Sequence, residues 1–310
     1  MIRTGLALAL PALACVVVLQ GRVGQEAERS EHRKHSILQK QDAQSRTRRD
    51  HVGKPLPELM TGDQCLFCHR LIGATWDKDS HAWTIRLVSE PAGLLHDVTQ
   101  PPAGATHLLG SMQHIRALKL TGYGTFAILG ADGKTRQNDT FATRCAGCHT
   151  SGVDPTTHAF SSYALDCYAC HGDVRLSHTS NPSEVWLSPK RARQPREIAS
   201  ICGQCHLRGG RSLSTGLPYP NNFVAGDDLF EDFQVDLKRA DDASLNHADR
   251  HVYYEVRSAL ERGSTTTCLD CHKIHGDPAL KHAICVDCDE AASAGKGAKA
   301  TKPGSPTCDY

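Results

Sequence analysis

A mostly α-helical chain with extensive irregular structure, wrapped around something other than a conventional core, is what this sequence predicts. Two observations carry that expectation. The apolar supply is thin: the 310 residues are 39% hydrophobic and 5% aromatic, with 26 Gly and 15 Pro, which is little for an ordinary core of this length. The pattern Cys-x-x-Cys-His also occurs five times, at Cys65–His69, Cys145–His149, Cys167–His171, Cys202–His206 and Cys268–His272. Chance placement of the chain's 14 Cys and 18 His would give roughly 0.04 such patterns.

Each motif reads as a covalent attachment site for c-type haem. The thiol pairs Cys65/Cys68, Cys145/Cys148, Cys167/Cys170, Cys202/Cys205 and Cys268/Cys271 are spaced to bond the two vinyl groups of one porphyrin. The adjoining histidines, His69, His149, His171, His206 and His272, then reach the iron from one face. Zinc ribbons, thioredoxin-like pairs and disulfides also use paired cysteines. None of them explains a histidine that recurs in the fifth position. The expected cofactor is haem c, five groups covalently attached, whose flat apolar rings supply the interior that the side chains do not. Folding should then depend on the cofactor. The formal charge of +1 becomes acidic once the haem propionates are counted. Nothing resembles a nucleic-acid recognition element, and the basic stretch 190–196 reads as a solvated face or as propionate partners.

From the N-terminus, residues 1–20 combine a short basic start with an apolar run over 5–19. The run suits an export signal and is marginal for a membrane span. A cleaved signal peptide, a retained N-terminal anchor and a lipoprotein acylated at Cys15 are the readings left open. Export to the periplasm or cell surface agrees with the haem motifs. Residues 21–62 are a polar linker; His32, His35 and His51 within it are poor ligand candidates. The multihaem domain spans 63–284. Its first unit places a short helix around His81, and residues 111–120 look helical. A small β-hairpin is expected near 123–137, turning on Asp132-Gly133. The segment 227–242 is acidic, amphipathic and expected at the surface. Residues 246–261 read as a helix with Tyr253, Val256 and Leu260 on one stripe. After residue 289 the chain becomes Ala/Gly/Lys/Pro-rich and is expected to be disordered.

The motif supplies one axial ligand per iron. Met is scarce, with 3 in the chain, whereas 18 His less the five in motifs leaves thirteen. Bis-histidine ligation is therefore the expectation, and it favours low potentials and electron transfer. The distal candidates are His81, His158, His178, His247 and His275. His251 is the alternative to His247, one helical turn away. His96, His107, His114 and His282 are reserves. A histidine trailing one motif commonly serves another haem, so chain proximity does not pair them.

Several blocks resemble the cytochrome c-554/c-prime family of multihaem proteins. They are Cys145–Gly152, Cys167–Gly172 with His178, Ile201–His206 with Arg208 and Gly209, Cys268–His272 with His275 and Gly276, and Trp76 with Ser80 and His81. The likeness covers residues 65–288 and implies His81, His158, His178, His247 and His275 as distal ligands. Tyr168 and Asp173 depart from the family's Glu and Pro. Cys285-Val-Asp-Cys288-Asp289 looks like a sixth motif with Asp in place of His, and a normal sixth haem is not expected there. That pair is left as a disulfide or as free thiols, in a degenerate tail spanning 285–310.

The function expected is electron transfer by haem-to-haem hopping between redox proteins outside the cytoplasm, possible members of a membrane-associated electron-transfer complex included. An oxidoreductase acting on nitrite, hydroxylamine or a sulfur oxyanion at one open-face haem is the second reading. A self-assembled haem wire is the third. No Ser/His/Asp, phosphate-loop or paired-carboxylate signature calls for other chemistry.

Overall fold

The computed structural model describes residues 62–76, 79–89, 100–110, 115–122, 125–137, 140–154, 156, 158, 160, 162–272 and 274–275. The expected export segment, polar linker, sixth motif at Cys285/Cys288 and C-terminal tail lie outside the described residues, as do His96, His114 and His282. In chain order the elements are α1 (Gly62–Cys68), α2 (Arg70–Trp76), a 3₁₀ turn (Ser80–Trp83), β1 (Ile85–Leu87), β2 (His107–Leu109), β3 (Arg116–Gly122), β4 (Thr125–Leu129) and β5 (Thr135–Gln137). There follow α3 (Thr140–Arg144), α4 (Ala146–His149), β6 (Thr150–Ser151), β7 (Ser162–Tyr163), α5 (Tyr168–His171), α6 (Pro195–His206), β8 (Arg211–Ser212), β9 (Phe233–Gln234), α7 (His247–Glu261) and α8 (Cys268–Cys271). Helices hold 40% and strands 15% of the structure, in keeping with a mostly α fold that has minor β elements.

The hairpin expected near 123–137 is present as β4–β5. Gly133 turns it with φ 73°, and the Lys134 amide donates to the Asp132 carboxylate at 3.1 Å. It is the far side of a larger unit. Strands β1 to β5 form an antiparallel sheet in sequential order, with Ile85 opposite Leu109, His107 opposite Leu118 and Ala117 opposite Leu129. Residues 116–120 are therefore strand, which corrects the helix expected over 111–120. Ala, Leu and Lys favour helix, but here both edges of β3 are paired and its successive side chains pack on opposite faces. Leu118 joins Ile85, Leu109, Phe126 and Ile128 on one side; Ala117 joins Leu108 and Leu129 on the other. Period-two burial of this kind overrides local propensity.

The larger face of the sheet carries Phe141, Ala146, Val153 and Phe160. The second Cys-x-x-Cys-His motif is thus built onto the sheet. A second apolar cluster joins α6, α7 and the segment between them through Ile201, Leu207, Leu229, Phe233, Tyr253 and Val256. The helix expected over 246–261 is α7, with Tyr253 and Val256 each 1% exposed. Asn246 caps it by accepting from the Asp249 amide at 2.9 Å. The acidic segment 227–242 is more than a surface strip: its apolar residues Leu229, Phe233 and Ala240 are buried in this cluster, while Asp241 grips Arg257 of α7 through two hydrogen bonds at 2.6 and 2.9 Å. Arg196, in the basic stretch, is paired with Asp228 at 2.7 Å.

Leu118 is fully buried, at 0% exposure, at the centre of the sheet. Leu118→Ala is expected to lower stability by about 2–5 kcal/mol, read by chemical denaturation of the cofactor-loaded protein. Lys119→Ala on the same strand, whose side chain is exposed, should leave the midpoint nearly unchanged.

Candidate haem-binding site

Each Cys-x-x-Cys-His motif closes one α-turn. The histidine amide donates to the carbonyl of the first cysteine in His69 (2.9 Å), His149 (3.1 Å), His171 (3.0 Å) and His272 (2.9 Å). His206 ends the last turn of α6. Residues at i, i+3 and i+4 share one helical face, so each turn offers two thiols and an imidazole to the same side. Local contacts fix the turns. The α8 turn is anchored by Asp270, whose carboxylate accepts from the Thr267 amide at 2.7 Å. The α5 turn stops at Gly172, where φ is +72° and a Cβ would press on the Ala225 carbonyl and the Trp186 ring. At Gly147 a Cβ would overlap the Tyr219 ring, which lies against the second motif and donates from its hydroxyl to the Ala142 carbonyl at 2.6 Å.

Three motif histidines face a second imidazole from a distant segment. Ring centroids are 5.9 Å apart for His69 and His178, 6.2 Å for His206 and His81, and 6.0 Å for His171 and His275. A metal–imidazole bond is about 2 Å long and the ring centre lies about 1 Å beyond the nitrogen, so two ligands on opposite sides of one metal have centres about 6 Å apart. In every pair the second histidine trails a different motif from the one it faces: His81 trails the first and faces the fourth, His178 trails the third and faces the first, His275 trails the fifth and faces the third.

The remaining candidates are placed differently. His247 and His251 stack at 6.3 Å on one face of α7. His158 sits in left-handed backbone, φ 60°, and among the described residues no ring contact joins it to a motif histidine. His107 is on β2, packed 4.9 Å from Phe126 and 5.6 Å from Tyr163, with its Nδ1 on the Thr106 hydroxyl at 3.0 Å.

Hydrogen bonds fix how several imidazoles are turned. Nδ1 of His149 meets the Thr84 carbonyl at 3.2 Å, that of His171 the Trp186 carbonyl at 2.8 Å and that of His178 the Arg175 carbonyl at 2.6 Å. Nδ1 of His81 meets the Asp79 carboxylate at 2.7 Å. A carbonyl or carboxylate there requires the proton on Nδ1, which leaves Nε2 with its lone pair for a metal. Burial, helped by the neighbouring His81 and His272, pushes His206 down to about 4. Burial lowers His149 and His171 as well, so these rings are neutral at neutral pH, the form that binds metal.

The five turns also touch one another. Cysteines of different motifs lie beside one another: Cys65 beside Cys167, Cys148 beside Cys205 and Cys202 beside Cys268. Cys170 lies within electrostatic reach of Cys202 and Cys205. Gln204 ties the fourth turn to the third by donating to the Ala169 carbonyl at 2.9 Å. None of the ten motif cysteines is in a disulfide, and burial raises Cys170 to about 11.

Sequence reasoning missed Asp79, Thr84, Trp186, Gln204 and Tyr219. Asp79 left a signal, an Asp two residues before a candidate ligand at a helix start. Thr84 and Trp186 act through backbone carbonyls, which no side-chain pattern reveals.

No protein-family model matches the chain, and no curated protein matches it. Among solved structures the chain is similar to that titled outer cell wall cytochrome OcwA, with 19% identity and a TM-score of 0.45. The match covers 72% of this chain and spans 58% of that one. Among the described residues no helix is long and apolar enough to cross a membrane.

Gly147→Ala is expected to destabilise the protein by about 1–3 kcal/mol, the cost of overpacking. In a Tyr219→Ala background the same change should cost measurably less. Thermal unfolding of the four proteins of this cycle checks it.

Proposed function

We propose that this chain is an extracytoplasmic multihaem c-type cytochrome of the c-554/c-prime type, carrying electrons between redox proteins. The observation that supports it most is the set of three imidazole pairs with centroids 5.9, 6.2 and 6.0 Å apart, each joining a motif histidine to one from a distant segment. That separation fits two axial ligands of one iron. The donor set fits too: two thiols on the imidazole's face of each turn suit thioether links to a porphyrin. Apolar side chains around the first motif, Phe67 (75% exposed), Leu71 (88%) and Leu176 (75%), suit the face of a porphyrin ring.

In this reading His69/His178, His206/His81 and His171/His275 hold three irons. His149 and His272 supply the near-side ligands of two more, with His247 or His251 of α7 the candidates opposite His272. When bound, the haems supply a one-electron iron couple at each site, so that electrons pass by hopping. The chain's work is positional. Its paired imidazoles hold coordination the same in both oxidation states. The closeness of their cysteines sets the first site beside the third, the second beside the fourth and the fourth beside the fifth. Periplasm or cell surface is the location this chemistry favours.

One observation favours the second reading, an oxidoreductase acting at an open haem face. Among the described residues no imidazole ring stands opposite His149, whose Nδ1 partner is the Thr84 carbonyl.

Mass, absorption and EPR spectra of the purified protein test both readings. The carrier reading expects five haems per chain and low-spin signals throughout. His81→Ala, His178→Ala and His275→Ala should each convert one low-spin haem to a high-spin one that binds carbon monoxide, whereas His107→Ala should leave the spin states unchanged. A colourless exported chain would end the proposal. One high-spin haem at the His149 site that binds nitrite in the unaltered protein would favour the oxidoreductase.

A further inference from the structure

Asp79 is fully buried, at 0% exposure, and its carboxylate lies against the candidate ligand His81. Its Oδ1 accepts from the His81 amide at 3.0 Å and meets His81 Nδ1 at 2.7 Å. One side chain thus caps the 3₁₀ turn that carries His81 and fixes the tilt of its ring. The His81 ring stands 6.2 Å from that of His206, with the planes 72° apart. The corresponding Nδ1 partners in the other two pairs are neutral: the Trp186 carbonyl for His171 and the Arg175 carbonyl for His178.

We infer that Asp79 is a positioning residue that lowers the reduction potential of the iron held between His81 and His206. The inference rests on the ligation proposed above. A carboxylate on Nδ1–H shifts that proton toward itself and gives the imidazole imidazolate character. The ring then donates more strongly through Nε2 and stabilises the ferric over the ferrous state. The negative charge acts in the same direction, and burial out of water strengthens it. A neutral carbonyl does neither to the same degree. The consequence falls at a junction, because cysteines of the fourth motif lie beside those of the second and the fifth. A low-potential centre there holds electrons off the branch point and sets a step between the arms.

An EPR-monitored redox titration of the cofactor-loaded protein tests this. Axial imidazoles with planes far from parallel give a more anisotropic low-spin signal than nearly parallel ones. The 72° pair is thereby distinguished from the 32° pair of His69/His178 and the 10° pair of His171/His275. In the unaltered protein the anisotropic signal should be reduced at lower potential than both others. Asp79→Asn keeps an acceptor for the ring N–H but removes the charge. It should raise the midpoint of the anisotropic signal, leave that centre low-spin and leave the His69/His178 signal in place. Asp79→Glu keeps the charge and should stay nearer the unaltered value than Asn. Reduction of the anisotropic signal before the other two, no rise in the Asn variant, or equal shifts in Asn and Glu would each overturn the inference. Should neither variant fold, the order of reduction in the unaltered protein still decides it. Absence of low-spin signals from the unaltered protein overturns the ligation itself, a separate failure.

Discussion

In the proposed reading, the pairing of imidazoles from distant segments is the contact on which the rest of this architecture depends. A Cys-x-x-Cys-His turn is one hydrogen-bonded loop of helix, and isolated turns are unstable in water because nucleation costs more than one bond returns. Four of the five motifs here have little helix to lean on. They persist because something beyond the turn holds them: the Tyr219 ring against Gly147, the Asp270 carboxylate under Thr267, the Gln204 amide reaching from one turn to the next. An iron shared by His69 and His178, or by His171 and His275, would add a cross-link over far longer stretches of chain. Closing long loops removes entropy from the unfolded chain, so the proposed ligation would stabilise the fold as well as serve electron transfer.

The polypeptide nevertheless has cores of its own. Its modest apolar content is concentrated rather than spread. The sheet gathers Ile85, Leu109, Leu118, Phe126 and Ile128 on one face, and the α6–α7 region gathers Leu229, Phe233, Tyr253 and Val256. In the proposed reading porphyrin is therefore not asked to replace a protein interior. It would cover apolar side chains near the motif turns such as Phe67, Leu71 and Leu176, which the chain alone leaves exposed.

What could be read in advance divides along the range of the interactions. The motif turns were legible because the pattern i, i+3, i+4 is local and its chemistry narrow. Helix α7 was legible from the spacing of Tyr253, Val256 and Leu260, and the β4–β5 hairpin from Asp132-Gly133. The other three strands of the sheet were not, since β1 and β2 are three residues long and β3 is rich in helix formers; only pairing on both edges decides them. His81, His178 and His275 stood out as spare histidines, yet which motif each faces depends on how the whole chain returns on itself. The family resemblance offered His81, His158, His178, His247 and His275 as candidates without saying which motif any of them faces. The hydrogen bonds that turn the rings come largely from backbone carbonyls, which every residue carries and no sequence marks.

The five motifs stand on elements of different length. The fourth motif ends the 12-residue helix α6, which starts on Pro195 and packs along α7. Its cysteines lie beside those of two other motifs, so a position with several neighbours stands on the longest helix that carries a motif among the described residues. Sites mounted on regular elements are held more closely than sites on loops, and close tolerance matters most where several paths converge. The first motif is the opposite case. Its two cysteines lie in the seven-residue helix α1, its histidine joins α1 to α2, Cys68 is exposed, and Cys65 is close to Cys167 of the third motif. A terminus of the proposed conduit needs an accessible edge more than a fixed one, since transient redox partners meet through small interfaces. The same chain thus gives its proposed junction the support of α6 and leaves an exposed cysteine at its proposed end.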